Sequence, residues 1–143
     1  MSNLALFMKK NKKVRSNTFY AATTSLTDAD GKPLEWEIKP LTTEESERIR
    51  LECTKDVPVP GKRGQYRTKI DTNMYNDKLM VAAIVFPDLY NKELQDSYGV
   101  MTPEDLLKAM IDNPSEYYDL LNYITEQSGF SKDIQDEIDE AKN

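Results

Sequence analysis

From Leu34 to Lys39 apolar and charged residues alternate strictly, with Leu34, Trp36 and Ile38 on one side and Glu35, Glu37 and Lys39 on the other. A period of two predicts a half-buried strand. Asp30-Gly31 just ahead supplies the positive φ of a turn, and Pro40 cannot donate to a ladder, so the strand ends there. Upstream, residues Asn17 to Leu26 are rich in Thr and carry Phe19 and Tyr20, which reads as the partner strand. Its alternation points Tyr20, Ala22, Thr24 and Leu26 the same way as Trp36. A two-stranded hairpin is marginal alone, so this one must lie on helices or find a third strand.

Beyond Pro40 the period changes to that of helices. Thr42 with Glu45 three residues on fits a capping box opening a helix near Thr43 to Lys55, whose only consistent apolar stripe is Ile49 and Cys53. Val57-Pro58-Val59-Pro60-Gly61-Lys62-Arg63-Gly64 then reads as a flexible basic loop over 57–69. A second helix is predicted from Thr72 to Phe86, with Tyr75, Leu79, Ala82 and Phe86 at helical spacing and Met80, Ala83 and Ile84 widening the apolar surface. Pro87 stops it.

Three short helices come next. Asn91 to Tyr98 ends on Gly99, Thr102-Pro103-Glu104-Asp105 starts the second, and Asn113-Pro114-Ser115-Glu116 repeats the device before a stop near Gly129. Their stripes are Leu106, Leu107, Met110 and Ile111, then Tyr117, Leu120, Leu121 and Ile124. Ser131 caps a last predicted helix with Ile134, Ile138 and Ala141 on one face and a dense acidic face opposite. The pattern gives a mainly α fold with a small N-terminal antiparallel β-hairpin (α+β), a single compact helical domain. Its divisions are an N-terminal segment 1–16, a hairpin plus helical domain 17–130, and an acidic C-terminal helix or tail 131–143.

Composition narrows the chemistry. With no histidine in 143 residues, the usual general base, the commonest metal ligand and every Ser-His or Cys-His nucleophile are excluded. The one cysteine, Cys53, forms neither an intramolecular disulfide nor a thiolate zinc cage, and reads as a small buried residue. Asp28-Ala29-Asp30-Gly31 is too brief to surround calcium, and Gly61 and Gly64 lack the spacing of a phosphate loop. The carboxylates read as solvated surface. The expectation is a binding protein, with no enzyme activity, cofactor or metal.

Leu4 to Met8 is apolar and is followed by Lys9, Lys10, Lys12, Lys13 and Arg15, the reverse of a signal peptide's order. The longest apolar run, the one that holds Met80 to Phe86, is far too short to cross a bilayer, so no membrane partner is expected. Residues 1–70 hold 14 basic and 9 acidic side chains, net +5, and residues 71–143 hold 5 and 16, net −11. The acidic half disfavours close approach to phosphates, which leaves a nucleic-acid-binding factor as a minor reading of the basic segments.

Several stretches, in order, resemble a known family. They are Tyr20-Ala21-Ala22, the turn Asp28 to Pro33, the run Glu35-Trp36-Glu37-Ile38-Lys39-Pro40-Leu41, and Phe86-Pro87-Asp88-Leu89. Leu94 to Val100, Leu106 to Met110, Glu116-Tyr117 and Leu120 complete the set. In this the chain resembles the XkdN-like tail assembly chaperones of long-tailed phages and prophages of Gram-positive bacteria. The resemblance implies a protein of the bacterial host cytoplasm, absent from the mature virion. It would bind the tape measure protein and aid tail tube assembly, with the tail tube protein as a further partner. The alternative is a structural tail or connector subunit retained in the virion. Many tail chaperones are also made as a longer frameshifted form, and Ala141-Lys142-Asn143 can be encoded by the slippery GCA-AAA-AAC. The resemblance brings no binding residues, and the apolar stripes supply the candidates: Tyr75, Leu79 and Phe86 with Tyr117, Leu121 and Ile124. These serve either as a groove for a partner helix or as core.

Overall fold

A computed structural model describes residues 3–130. The chain opens with two short 3-10 turns, Asn3–Phe7 and Lys9–Asn11, and then enters the first strand, β1 (Thr18–Tyr20). β1 pairs antiparallel with β2 (Trp36–Ile38), with Tyr20 opposite Trp36 and Thr18 opposite Ile38. This is the predicted hairpin, shortened: residues 21–35 leave the ladder, and only a bridge between Thr27 and Pro33 closes their loop around Asp28 to Gly31. Asp28 Oδ1 accepts from the backbone N–H groups of Asp30 and Lys32, and Gly31 takes the positive φ of 82° that the turn needs.

Helix α1 (Thr43–Glu52) starts on the full capping box, with Thr42 and Glu45 exchanging side-chain and backbone bonds. β3 (Thr54–Pro58) and β4 (Tyr66–Ile70) follow as a second antiparallel pair, in register from Thr54 opposite Ile70 to Pro58 opposite Tyr66. α2 (Thr72–Ala83) leads directly into β5 (Ile84–Phe86), which adds to β2. α3 (Lys92–Ser97), α4 (Pro103–Met110) and α5 (Pro114–Ser128) complete the order. The caps Thr102 and Asn113 are those read from the sequence, and Asn91, expected as the first residue of its helix, caps α3: each accepts the N3 backbone N–H, and Gly129 closes α5 at φ 83°.

The expectation of a mainly α fold with one N-terminal hairpin is overturned. Among the described residues five strands form two antiparallel sheets, β1-β2-β5 and β3-β4, spread from Thr18 to Phe86. Two errors explain it. The apolar run through Phe86 satisfies a helix and a buried strand equally well, and its last three residues are a strand because β2 needs a neighbour on its free side. The segment read as a flexible loop over 57–69 is strand at Val57, Pro58 and 66–69, with the turn confined to the residues between. The helix expected after Ser131 lies outside the described residues.

Helix α2 is the hub. It packs on α1, α4, α5 and β5, and buries Tyr75, Leu79, Met80, Val81 and Ala83. The three-stranded sheet lies with its inner face on this helical layer, where Trp36 and Ile38 are almost fully buried. Tyr20 stacks on Tyr123 of α5 at 4.2 Å, and Thr18 donates to Gln127 at 2.7 Å. Lys39 N–H donates to the Ala83 carbonyl at 2.8 Å, which ties the end of β2 to the junction of α2 and β5. One polar residue disturbs the hub. Asn76 is buried on α2, and neither its amide nitrogen nor its amide oxygen meets a partner among the described residues.

Candidate docking surface

The two faces of the three-stranded sheet differ in kind. Since neighbouring residues point to opposite sides, burying Trp36 and Ile38 turns Glu37 outward. The register places Phe19 of β1 opposite Glu37, and Glu37 opposite Phe86 of β5. A single row therefore crosses the sheet, aromatic, acid, aromatic, with the two Phe backbones about 10 Å apart at ordinary strand spacing. Phe19 is 61% exposed and Phe86 64%. Val85 joins them on the exposed side, at a register irregularity between Glu37 and Ile38. Glu37 is held by a hydrogen bond that Asn17 Nδ2 donates to Oε2 at 2.8 Å. Within the described residues, β1 and β5 each have only β2 as a strand neighbour, so the sheet also presents two strand edges.

The six candidate residues separate sharply. Leu79, Leu121 and Ile124 are wholly buried, Tyr75 and Tyr117 nearly so, and all five belong to the core cluster. Arg50 lies over the Tyr75 ring, 5.9 Å from its centroid. The Tyr117 hydroxyl donates to Asp77 Oδ1, while Lys108 Nζ reaches Asp77 Oδ2 at 2.7 Å. Burial, then the bond to Asp77, pushes the Tyr117 phenol far above its ordinary value, so it stays a neutral donor. Phe86 alone stands on the surface. The stripes do not meet in a groove; they meet as core. Sequence reasoning missed Phe19, and the signal was there: with Tyr20 turned inward, Phe19 is an aromatic on the charged side of a strand.

Chemistry elsewhere is sparse. Among the described residues no group of three His, Cys, Asp or Glu could hold a metal ion, and no helix is long and apolar enough to cross a membrane. Cys53 is buried, and that burial raises its thiol pKa, so the thiolate is disfavoured. Two carboxylates do tie the frame. Burial works against the charged form of Glu45, yet hydrogen bonds from Lys39 and Thr42 outweigh it and hold the carboxyl below the ordinary range. Glu116 takes the Thr23 hydroxyl at 2.7 Å and the Thr24 N–H at 2.9 Å, and its carboxyl is also lowered, chiefly by the Thr23 bond.

Comparison with known proteins decides the family. The model of the phage XkdN-like tail assembly chaperone proteins matches residues 4–142, nearly the whole chain. The chain belongs to that family. It is similar to the phage-like element PBSX protein XkdN of Bacillus subtilis, 29% identical over 116 residues that cover 81% of this chain and 77% of the relative. The uncharacterized protein YqbN of the same strain is equally similar, with 81% and 76% covered. The crystal structure of YqbN matches the fold with a TM-score of 0.75 over 92% of this chain and 99% of that one, at 21% identity. The family is one of phage tail assembly chaperones and is not a known enzyme family.

Proposed function

We propose that this tail assembly chaperone binds the tape measure protein and aids tail tube assembly, and that the outer face of the three-stranded sheet is its contact. Family membership and the row Phe19–Glu37–Phe86 support this reading. A long helical polypeptide exposes apolar stripes before the tube surrounds it, and such stripes aggregate unless covered. A shallow face with two aromatics and one acid suits a helix that offers apolar side chains flanking a Lys or Arg. The contact is shallow enough to release when tube subunits take over. Under this reading the chain works in the host cytoplasm and is left out of the finished particle. The tail tube protein and a longer frameshifted form of the chain are further partners it would meet.

Co-expression with the tape measure protein of the same phage or prophage tests both parts. The wild-type chain should keep that protein soluble and co-purify with it. The double variant Phe19→Asp, Phe86→Asp should lose at least about tenfold in affinity, since each aromatic anchor is worth about 1 kcal/mol or more. If the wild-type chain neither solubilises nor binds, the function fails. If the double variant binds equally well, the function stands and the sheet face does not. Mass spectrometry of purified particles tests the alternative, because many copies of the chain there would make it a structural tail subunit.

A further inference from the structure

Alternation sorts the β3–β4 pair into two unlike faces. Lys55 and Val57 lie opposite Lys69 and Arg67 in the register, and adjacent residues point to opposite sides. One face therefore carries Lys55, Arg67 and Lys69, while Asp56, the only acid between Thr54 and Ile70, is on the other. Lys62 and Arg63 stand at the tip. Their turn is held by Val59 N–H donating to the Gln65 carbonyl at 3.0 Å and Lys62 N–H to the Val59 carbonyl at 3.1 Å. All five cations are exposed, and among the described residues none has an ion-pair partner. At the root of the pair Asp71 is engaged elsewhere, since its carboxylate accepts from Met74 N–H at 3.1 Å as the N-cap of α2.

Both strands have an open edge, because the pair has no third neighbour among the described residues. The edges are not equivalent. Asp71 N–H donates to the Cys53 carbonyl and Val59 N–H to the Gln65 carbonyl. The hydrogen-bonded pairs between them therefore fall at Lys55–Lys69 and Val57–Arg67. The residues in between turn their backbone groups outward: Thr54, Asp56 and Pro58 on β3, and Tyr66, Thr68 and Ile70 on β4. Pro58 leaves the β3 edge without a donor where an added strand needs one, whereas β4 carries an N–H at each outward position. We propose that an extended acidic segment of a partner protein adds to the β4 edge as a third strand, its alternate carboxylates paired with Arg67 and Lys69. Carboxylates on every second residue recur about 6.8 Å apart, the spacing of Arg67 and Lys69 along β4, so backbone and side chains match at once. Like charges across a ladder oppose it, so the same two cations keep the β4 edge of a second copy away. Nucleic acid fits less well. Outside the pair the described residues hold 12 basic and 19 acidic side chains, and a duplex sets a charge about every 1.7 Å against that acidic body. The proposal is independent of what the outer face of the three-stranded sheet binds.

Fluorescence anisotropy with the full chain and two labelled heptapeptides tests it. Thr-Glu-Val-Glu-Val-Glu-Thr should bind at least about tenfold more tightly than Thr-Lys-Val-Lys-Val-Lys-Thr, and more weakly as salt rises. On saturation, hydrogen exchange at the outward Tyr66 and Thr68 amides should slow at least about tenfold, while the Asp56 amide on the other edge is unchanged. Arg67→Glu, Lys69→Glu should reverse the order of the two peptides. Thr68→Pro keeps every charge and removes an outward N–H, and should weaken the acidic peptide at least about fivefold. Circular dichroism should be unchanged in both variants. No binding of the acidic peptide at low salt overturns the proposal and makes the cations a guard against edge pairing. Equal affinity in Thr68→Pro overturns it in favour of a charged patch without strand addition. Tighter binding of a random DNA duplex overturns it in favour of nucleic acid, and a dimer of the wild-type chain that Thr68→Pro abolishes, in favour of a second copy.

Discussion

The two sheets are built from the same antiparallel ladder and bury almost nothing in common. In β1-β2-β5 the inner side chains Trp36 and Ile38 vanish into the helical layer, whereas in β3-β4 only Thr54, Val57 and Ile70 are even half-buried. Backbone hydrogen bonds are therefore not what separates the two; burial against helices is. The β3-β4 pair also sets Lys55 directly opposite Lys69, a like-charge pair that a ladder tolerates only where water screens it. One sheet is part of the core, and the other is an appendage carried by it.

Truncating each sheet should show the largest difference. Ile38→Ala removes wholly buried apolar surface and should cost about 3 kcal/mol in urea denaturation. Tyr66→Ala, on a residue 65% exposed, should cost about 0.5 kcal/mol or less. Comparable losses at the two sites would mean that the appendage is packed after all. A smaller but sharper contrast lies in amide exchange. The β2 amides should exchange only through global unfolding, while those of β3 and β4 should open locally at a cost at least about 2 kcal/mol lower.

The contrast also explains what the sequence revealed and what it hid. Trp36 to Ile38 was legible because a sheet face resting on helices forces the alternation that a reader looks for. The caps at Thr42, Thr102 and Asn113 were legible because each is a local exchange between a side chain and a backbone N–H three residues on. β3 and β4 were not, since strands with no core behind them need no apolar alternation, and prolines, glycines and cations there say loop. β5 was hidden for the opposite reason: Leu79 to Phe86 is so uniformly apolar that helical spacing continued to Phe86 fits it as well as a terminal strand does. The proposed docking face came from neither signal. It required the register, which sets Phe19 and Phe86 on either side of Glu37, and the stripes alone pointed to Tyr75, Leu79, Tyr117, Leu121 and Ile124, which are core.

A gain is expected where the helical layer under the sheet carries its one polar flaw. Asn76 gave up its hydration on burial and has no hydrogen bond among the described residues to offset that loss. Asn76→Leu, which keeps the branched four-atom side chain and removes its polar atoms, should raise stability by about 1 kcal/mol in the same denaturation experiment. A loss instead would show that the amide has a partner in the folded protein, and that the layer behind the sheet is less uniformly apolar than the comparison holds.

The smallest effect concerns how the long β1–β2 connection is held. Residues 21–35 gain little from the ladder, and Glu116 at the start of α5 clasps them through Thr23 and Thr24. Because its carboxyl is lowered from the ordinary 4.5, the folded state binds the proton more weakly than the unfolded chain does. The clasp therefore contributes fully at neutral pH, and its contribution is lost as pH falls below about 4.5 and through the lowered value. Glu116 is only partly buried, so solvent screening keeps the effect modest. Glu116→Gln should lower the thermal midpoint slightly at pH 7 and not at pH 3, and exchange at the Thr24 amide should quicken in the variant. A midpoint difference that persists undiminished at pH 3 would mean that the side chain acts through packing, and that the connection is fastened like the sheet it joins.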